Sequence, residues 1–339
     1  MKNPLVSLVI VNWNGKQYLQ ECLKSIEKSS YKKLEIIVVD QGSKDGSQDI
    51  IRKDFPQVKL IQNKQNTGYV GGNNLGVSKS RGEYVFILNN DVILESNTIQ
   101  PLINYLEKNP DVGCLQPKAI NLRNKNKIDG AGSFFTSTGF LYNKGYLDDA
   151  SKAEYSKIYP VYCVKGAYML FRRSLFLKLG GLDKDFFIYF EESDFCGRIW
   201  LAGYKVMYVP LSNIYHCGGG DTREDWDRRF ALVQYRSYRN RICSYMKNLS
   251  FPALFKIMPV HFAFCFLASL YYLFRFEFQM VAAIYKAMLW NLLHLREALQ
   301  KRAIIQKQYR TISDKEIFRF TEQKIGLRYL LVQRKMLES

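Results

Sequence analysis

Residues 5–40 read LVSLVIVNWNGKQYLQECLKSIEKSSYKKLEIIVVD, and this stretch decides the fold. It begins with an unbroken apolar run, residues 5–11, and ends with a second one, residues 34–40. Such runs are typical of strands that are buried on both faces of a parallel sheet. Between them, apolar side chains recur at helical spacing from Tyr18 to Ile26. The stretch therefore predicts a strand–helix–strand unit with parallel strands.

The same alternation continues along the chain. It predicts a helix that begins near Ser47, a weaker strand at residues 58–61, a glycine-rich loop at residues 66–74 and a strand at residues 84–88. Repeated strand–helix units predict a doubly wound α/β domain, and ligands of such domains bind at the carboxyl ends of the strands. The polar residues that follow each strand are therefore the candidates for a site.

The charge of the chain is unevenly distributed. The 339 residues include 49 Lys and Arg against 31 Asp and Glu, a net charge of +18, and 47% are hydrophobic, which excludes a disordered chain. From residue 241 onward there are 16 basic and 6 acidic residues. This excess predicts an anionic partner. Because the basic residues border apolar segments instead of alternating with exposed aromatic ones, we expect no nucleic acid.

The seven cysteines include no CxxC pair, so the sequence predicts neither a disulfide framework nor a structural zinc site. The apolar run at the N-terminus lacks a small-residue cleavage site and is interpreted as a strand, not a secretion signal. Both observations indicate a reducing, cytoplasmic environment.

Polar residues close several of the predicted strands. Asp40 ends a buried strand at a position where nothing structural requires a carboxylate. Asn89, Asn90 and Asp91 form an oxygen-rich cluster suited to a hard cation that also holds phosphates, although Asp91 could instead cap a helix. The glycine-rich loop lacks the P-loop and dinucleotide patterns, which disfavours phosphoryl transfer of the Walker type and a nicotinamide site.

Three acids lie together near the start of another predicted helix: Glu191, Glu192 and Asp194. Like charges this close raise one another's pKa, which suits a general base. The structural alternative is that acids favour a helix N-terminus and that Asp194 pairs with Arg198 one turn later. His216, beside three glycines, is predicted to contact a metal or a diphosphate, with a buried core histidine as the alternative.

Seven features in a fixed order carry a family resemblance: VSLVIVNWNG, IIVVDQGSKDGS, NTGYVGGNN, LNNDV, VKGAYMLFRR, GGLDKDFFIYFEESDFCGRIWLAGY and the later His216. With them the chain resembles the family-2 glycosyltransferases of the GT-A fold, most of all the bacterial rhamnosyltransferase-like branch that builds cell-surface polysaccharides. The resemblance implies a Rossmann-like, mostly parallel catalytic domain and a C-terminal helical membrane-associating region. The expected division is residues 1–240, with a nucleotide-sugar half at 1–117 and an acceptor half at 118–240, and then residues 241–339.

The resemblance also implies roles for individual residues. Asp40 would contact the nucleotide base, Asn89 would face the ribose, and Asp91 would bind the Mg²⁺ or Mn²⁺ ion that bridges the diphosphate. His216 matches a histidine that joins the metal site in several relatives. Further contacts with the nucleotide sugar are expected from Val11, Asn12, Gly68, Asn74, Asn90, Gly166 and Arg198.

Glu191 and Glu192 match the Glu-Asp pair that supplies the catalytic base in inverting members of the family. An acceptor hydroxyl would then displace the nucleoside diphosphate in one step. The chain departs from the pattern at Glu192, where Asp is usual, at Asn89, which replaces the first acid of the DxD motif, and at Gln41. The departure at Glu192 leaves the choice of base between the two glutamates open.

The apolar part of the C-terminal region is the candidate for membrane association. Residues 257–274 contain no Asp, Glu, Lys or Arg. The length of this uncharged segment is at the lower limit for a helix that crosses a bilayer. A span is disfavoured by Pro259 and His261 within this segment and by Lys256 and Arg275 beside it. We therefore expect an anchor that lies on the anionic inner face of the cell membrane. A true span, and helices packed on the catalytic domain or on a partner subunit, are the alternatives.

Two rival functions remain at this point. A sugar nucleotidyltransferase would be expected to carry a glycine-rich loop with Arg and Lys near its N-terminus, for which NWNGKQYL is a poor substitute. A catalytically silent membrane-associated scaffold would not need Asp40, Asp91 and the two glutamates. The sequence does not determine the donor sugar, a possible one being rhamnose, nor the nucleotide, the glycan or lipid-linked acceptor, the linkage or the oligomeric state.

Overall fold

The computed structural model describes residues 3–218 and 226–323, without the side chains of residues 226–229. The strands of these residues are β1 (Val6–Asn12), β2 (Leu34–Asp40), β3 (Lys59–Gln62), β4 (Tyr84–Asn89), β5 (Val92–Leu94), β6 (Val112–Asn121), β7 (Ile128–Gly130), β8 (Ser133–Phe135), β9 (Leu141–Asn143), β10 (Tyr159–Pro160), β11 (Tyr168–Arg172) and β12 (Lys205–His216).

The α-helices of the same residues are α1 (Lys16–Glu27), α2 (Ser47–Asp54), α3 (Gly68–Lys79), α4 (Ile99–Lys108), α5 (Arg173–Lys178), α6 (Glu191–Leu201), α7 (Trp226–Asn248), α8 (Phe251–Phe274), α9 (Phe278–Leu293), α10 (Leu295–Ile304) and α11 (Asp314–Thr321). A 3₁₀ turn covers Ala153–Ser156, and a π-helical turn covers Ile305–Tyr309.

The main sheet has the strand order β10-β12-β6-β11-β4-β1-β2-β3. β1 pairs in parallel with β2 and β4, and β2 pairs in parallel with β3, which confirms the predicted α/β architecture. β11 is antiparallel to both β4 and β6, so the sheet is mixed. β5 pairs with the end of β12 beside this sheet.

β1 is buried on both faces, as its apolar run predicts. Val6, Leu8 and Ile10 pack with the apolar face of α1 in one core. Val9 points to the opposite side of the sheet and packs with Val77 of α3 in a second core. Because both faces of the strand are covered, an alternating polar pattern would have been unfavourable here.

The predicted glycine-rich loop at residues 66–74 is wrong, because most of it belongs to helix α3. Its glycines let the helix approach β1 closely. A β-carbon at Gly72 would lie 2.8 Å from a methyl group of Val11, and one at Gly76 would lie 2.4 Å from a methyl group of Val9. These distances are too short for any larger residue, so the glycines serve helix–sheet packing.

The C-terminal helices pack on the α/β part of the chain. The predicted boundary at residue 240 falls within α7, and the boundary at residue 117 falls within β6. Ile242 of α7 and Ile305 share one core with Phe195 of α6. The division at residue 240 therefore does not separate two independently packed units. The end of the predicted C-terminal region, residues 324–339, lies outside the described residues.

A buried ion cluster joins α7 to α6. Lys247 of α7 pairs with Asp183 and, at 3.0 Å, with Asp194. Asp194 also accepts hydrogen bonds from Nε and Nη2 of Arg198, and Asp183 pairs with Lys301 of α10. Burial raises the pKa of Asp194, but the charges of Lys247 and Arg198 outweigh it and lower that pKa. All charges of this cluster are therefore compensated within the protein.

We expect Lys247→Met to lower the free energy of unfolding by about 3 to 5 kcal/mol, because it leaves buried carboxylate charge without its partner. The matched control is Lys205→Met, which removes only the half-exposed pair with Asp111 and should cost less than about 1 kcal/mol. Urea unfolding at pH 7 measures both values. Equal losses in the two variants would contradict a structural role for the buried cluster.

Candidate functional site

Five predicted site residues meet where neighbouring strands end. Asn12 of β1 is opposite Asp40 of β2, and Val11 is opposite Asn89 of β4. The Asn12 amide donates to Asp40 at 3.0 Å, and Asn90 donates to Asn12 at 2.8 Å. A network of amides and one carboxylate thus lines this edge of the sheet.

Asp40 is fully buried and organises the loop that follows β2. Its Oδ1 accepts hydrogen bonds from the Ser43 backbone amide at 2.9 Å and from the Gln48 side chain at 2.7 Å. Ser43 and Gln48 are both partly exposed, whereas Asp40 itself is not.

Asp91 and His216 face each other at the same edge. His216 ends β12 and is opposite Val92 of β5, so the pairing brings it beside Asp91. The Nε2 atom of His216 lies 3.4 Å from Oδ1 of Asp91, and this oxygen is buried with no hydrogen-bond donor among the described residues. Asp91 precedes a strand, so the alternative that it caps a helix is wrong.

Asp129 is a site residue that the sequence reasoning missed. Its Oδ2 lies 3.0 Å from Nδ1 of His216 and also accepts hydrogen bonds from Lys165 at 2.8 Å and Tyr168 at 2.7 Å. A carboxylate that holds the second ring nitrogen is typical of metal-binding histidines. Burial disfavours the charged imidazole, but Asp129 and Asp91 outweigh it and raise the pKa of His216 to about 9.

These side chains provide few metal ligands on their own. Among residues 3–218 and 230–323, no group of three His, Cys, Asp or Glu side chains is arranged to hold a metal ion. Asp91 and His216 offer one carboxylate oxygen that accepts no hydrogen bond from the described residues and one oriented imidazole nitrogen. Such a pair fits a divalent ion whose other ligands come from water or a bound ligand.

The two glutamates at the start of α6 have different environments. Glu191 is 4% exposed, and no partner among the described residues reaches its Oε2 atom. Burial, and then the charge of Glu192, raise the pKa of Glu191 well above its usual value. Glu192 is partly exposed; burial raises its pKa too, with opposition from Ser193 and Lys165. The predicted effect of like charges is therefore present, but burial is the larger cause.

Lys165 and Gly166 connect the part of the site around Asp129 and His216 with Glu192. Lys165 bonds to Asp129, and its charge acts on Glu192. The Gly166 carbonyl accepts a hydrogen bond from Tyr69 at 2.7 Å, and a β-carbon at Gly166 would lie 3.6 Å from that of Glu192. Gly166 was predicted as a site residue, whereas Lys165 and Tyr69 were missed because neither forms a motif with the acids.

Two predicted contacts are occupied by structural bonds. All three nitrogens of Arg198 bond to Asp194 and to the Leu179 carbonyl, so the ion-pair alternative describes this residue. The Asn74 amide donates to the Leu182 carbonyl and accepts from the Leu182 amide, each at 2.9 Å. The polar atoms of both side chains therefore already have partners within the protein.

Gly68 lies where α3 approaches the loop before α6. Its φ is +77°, and a β-carbon there would lie 2.4 Å from the Phe187 carbonyl oxygen. Its own carbonyl accepts a hydrogen bond from Gln41, the residue that follows Asp40. Gly68 thus links the two sides of the site through its backbone. Of the glycines after His216, Gly219 and Gly220 lie outside the described residues.

A cavity of about 800 Å³ lies elsewhere, between β8, the start of α8 and α11. Its apolar lining includes Phe135, Ala253, Ile257 and Phe318. None of the predicted site residues lines it, so the strand ends and α6 form the candidate site.

Comparisons with known proteins identify relatives of this chain. It is 25% identical over 249 residues to rhamnosyltransferase WbbL of Escherichia coli, covering 67% of this chain and 88% of the relative. It is 24% identical to N-acetylglucosaminyl-diphospho-decaprenol L-rhamnosyltransferase of Mycobacterium tuberculosis, covering 65% and 78%. An uncharacterized glycosyltransferase of Haemophilus influenzae is 35% identical, but the match spans only 33% of this chain and 36% of that relative.

Solved structures support the GT-A fold. Mannosyltransferase PcManGT of Pyrobaculum calidifontis, in complex with GDP-Man and Mn²⁺, has a TM-score of 0.55 at 17% identity and covers 95% of this chain and 85% of its own. GalNAc-T7 with UDP, GalNAc and Mn²⁺ has a TM-score of 0.56 at 20% identity, covering 72% and 48%. The model of the family described as "Glycosyl transferase family 2" matches residues 7–180, just over half of the chain, and the chain therefore belongs to this glycosyltransferase family.

Proposed function

We propose that this glycosyltransferase is an inverting, metal-dependent enzyme. It moves a sugar from a nucleoside-diphosphate sugar to a hydroxyl of a glycan or lipid-linked acceptor in cell-surface polysaccharide synthesis. The observation that carries the proposal is the partly exposed Glu192 beside Gly166, which Lys165 connects to Asp129 and His216. Rhamnose is a candidate sugar because two relatives are named rhamnosyltransferases.

The donor would bind along the strand ends. Asn12, Asp40, Asn89 and Asn90 supply amide and carboxylate groups for the nucleoside, in keeping with the UDP and GDP-Man bound by the structural neighbours. The orphan oxygen of Asp91 and the oriented ring of His216 would hold Mg²⁺ or Mn²⁺, together with diphosphate oxygens. When bound, such an ion offsets the charge that develops on the departing nucleoside diphosphate.

Glu192 would act as the general base. It takes the proton of the acceptor hydroxyl while that oxygen attacks the anomeric carbon from the face opposite the leaving group, which inverts the configuration. Burial and the charge of Glu192 raise the pKa of Glu191 well above its usual value and so disfavour its ionised form, whereas Ser193 and Lys165 oppose the rise in the pKa of Glu192. This difference in environment favours Glu192 over Glu191 as the base.

We expect Glu192→Gln to lower the transfer rate at least about 100-fold, because an amide cannot accept the proton. Binding of the donor should persist, and thermal shift with a panel of UDP-, GDP- and dTDP-sugars measures it.

In the wild-type enzyme, the rate should rise with pH through the raised pKa of Glu192, since the base must be ionised. Release of nucleoside diphosphate measures the rate.

The matched control is Glu191→Gln. It keeps the partly exposed Glu192 carboxylate and should therefore retain more activity than Glu192→Gln. Turnover of Glu192→Gln close to that of the wild type would refute the base assignment.

Asp91→Ala should abolish the activation of the enzyme by Mn²⁺, because it removes the unpaired carboxylate oxygen. Initial rates measured across a Mn²⁺ titration test this, and electron paramagnetic resonance measures Mn²⁺ binding in the presence of nucleoside diphosphate. Asp111→Ala, which alters only a half-exposed ion pair, is the control and should behave like the wild type. An unchanged Mn²⁺ titration in Asp91→Ala would exclude this residue as a ligand.

The α8–α9 pair supports a place at the cytoplasmic face of the membrane. Of the described helices, α8 is long and apolar enough to cross a bilayer, with a mean hydropathy of 1.8 in its most apolar window. One face of α8 is buried along its length at Ile257, His261 and Cys265, and His261 lies 3.2 Å from the Thr138 carbonyl. A helix attached along one face fits a membrane surface better than a span.

The opposite face of this pair is apolar and exposed. Phe255 is 78% exposed and Phe274 is 81% exposed, and α9 adds Leu289, Leu292 and Leu293. Lys256 and Arg275 directly follow Phe255 and Phe274 in the chain, and Lys286 precedes Leu289 by three residues. Apolar side chains bordered by cations fit the headgroup region of an anionic membrane, where a lipid-linked acceptor would also be found.

The double substitution Phe255→Ser and Phe274→Ser should lower binding to phosphatidylglycerol-containing vesicles at least about tenfold, because two aromatic side chains no longer enter the bilayer. Vesicle co-sedimentation measures this. Leu177→Ser with Leu211→Ser is the control, since both leucines are 48% exposed on other surfaces. Equal binding of the two double variants, or release of the wild type by high salt, would contradict the anchor.

A further inference from the structure

The segment before the two glutamates, residues 183–190, is called the base loop here. Its last two residues, Tyr189 and Phe190, have φ values of +72° and +71°. Residues with side chains seldom adopt this left-handed region, and two in succession persist only where surrounding contacts enforce them. Glu191 begins α6 directly afterwards, so this strained turn sets the direction in which the helix and Glu192 leave the loop.

Asn240 of α7 bonds directly to the strained turn. It is fully buried, and its Nδ2 atom donates to the carbonyls of Ile188 at 3.1 Å and Tyr189 at 2.6 Å. Arg239 donates to Oδ1 of Asn240 at 2.9 Å, which fixes the orientation of the amide. Both hydrogens of one buried amide are therefore directed at the residues that precede the proposed base.

The rest of α7 contacts the same loop. The Arg236 guanidinium lies 4.3 Å from the centre of the Phe187 ring, and Arg239 donates to the Asp185 carbonyl at 2.7 Å. From the other side, the backbone amide of Val70 in α3 donates to the Phe187 carbonyl at 3.2 Å. The base loop is thus fixed between the donor side of the site and the C-terminal helices.

We infer that Asn240 is a positioning residue for the catalytic base: it holds Tyr189 and Phe190 in the left-handed conformation that directs Glu192 into the site. This inference rests on the proposed role of Glu192. Asn240 acts through the backbone and lies outside residues 7–180, the part of the chain that the family model matches. The C-terminal helices would then contribute to catalysis as well as to membrane binding.

The test compares Asn240→Ala with Asn291→Ala. Asn291 is a buried asparagine of α9 that bonds to the Arg239 and Ala287 carbonyls instead of the base loop. With dTDP-rhamnose and the other donors of the panel, Asn240→Ala should lower kcat at least about tenfold while the donor KM changes less than about twofold. Asn291→Ala should retain a kcat close to that of the wild type.

A second substitution distinguishes positioning from general stability. Glycine adopts positive φ without steric cost, so Tyr189→Gly in the Asn240→Ala background should recover several-fold of the lost kcat. If Asn240 only stabilised the fold, the added glycine would lower activity further. Should Asn240→Ala not fold, Arg239→Met keeps the buried Asn240 amide but removes the bond that orients it and the bond to the Asp185 carbonyl of the base loop. A smaller loss of kcat is then expected.

Limited proteolysis provides a readout without substrate. Lys184 is exposed in the base loop, and trypsin should cleave after it faster in Asn240→Ala than in Asn291→Ala. If the wild type transfers no sugar from any donor, the proposed function fails, whereas faster cleavage at Lys184 still supports the role of Asn240 in holding the loop. Wild-type kcat together with wild-type cleavage in Asn240→Ala would overturn the inference.

Discussion

The parallel pairing of β1 with β2 and β4 is the constraint on which the rest of the structure depends. It brings Asn12, Asp40 and Asn89 to one edge of the sheet in register, so that their side chains bond to one another or lie side by side. Asp91 lies two residues after Asn89. The pairing of β12 with β5 brings His216, from a distant part of the chain, to the same edge. The donor side of the site is therefore a consequence of strand register and needs no special loop.

The start of α6, where the proposed base lies, depends on buried charge. Asp194 lies two residues after Glu192 and is neutralised by Arg198 and by Lys247 of α7. These ion pairs hold α6 against the C-terminal helices, while Asn240 bonds to the turn before it. Removing charges from water is favourable only when such pairs are complete, so α6 and α7 must fold together. The strand ends, the proposed base and the exposed α8–α9 face thus belong to one packed unit.

The features predicted from the sequence were those encoded locally. Buried apolar runs gave the strands, and polar residues directly after them gave the donor side of the site. The helix at residues 68–79 was missed because its glycines were assigned to a loop, although their four-residue spacing fits the close packing of a helix on β1. Asp129 was missed because 87 residues separate it from His216, and Asn240 because 51 residues separate it from Tyr189. For Arg198, spacing allowed both a ligand contact and an ion pair, and only the fold shows which atoms bond.

The stereochemistry of the product tests the central claim most directly. The anomeric configuration of the transferred sugar can be read by nuclear magnetic resonance from the one-bond carbon–hydrogen coupling of a donor labelled with carbon-13 at the anomeric position. Direct displacement by a hydroxyl that Glu192 deprotonates predicts a product with the configuration opposite to that of the donor. A product that retains the donor configuration would contradict this mechanism and the assignment of Glu192 as its base.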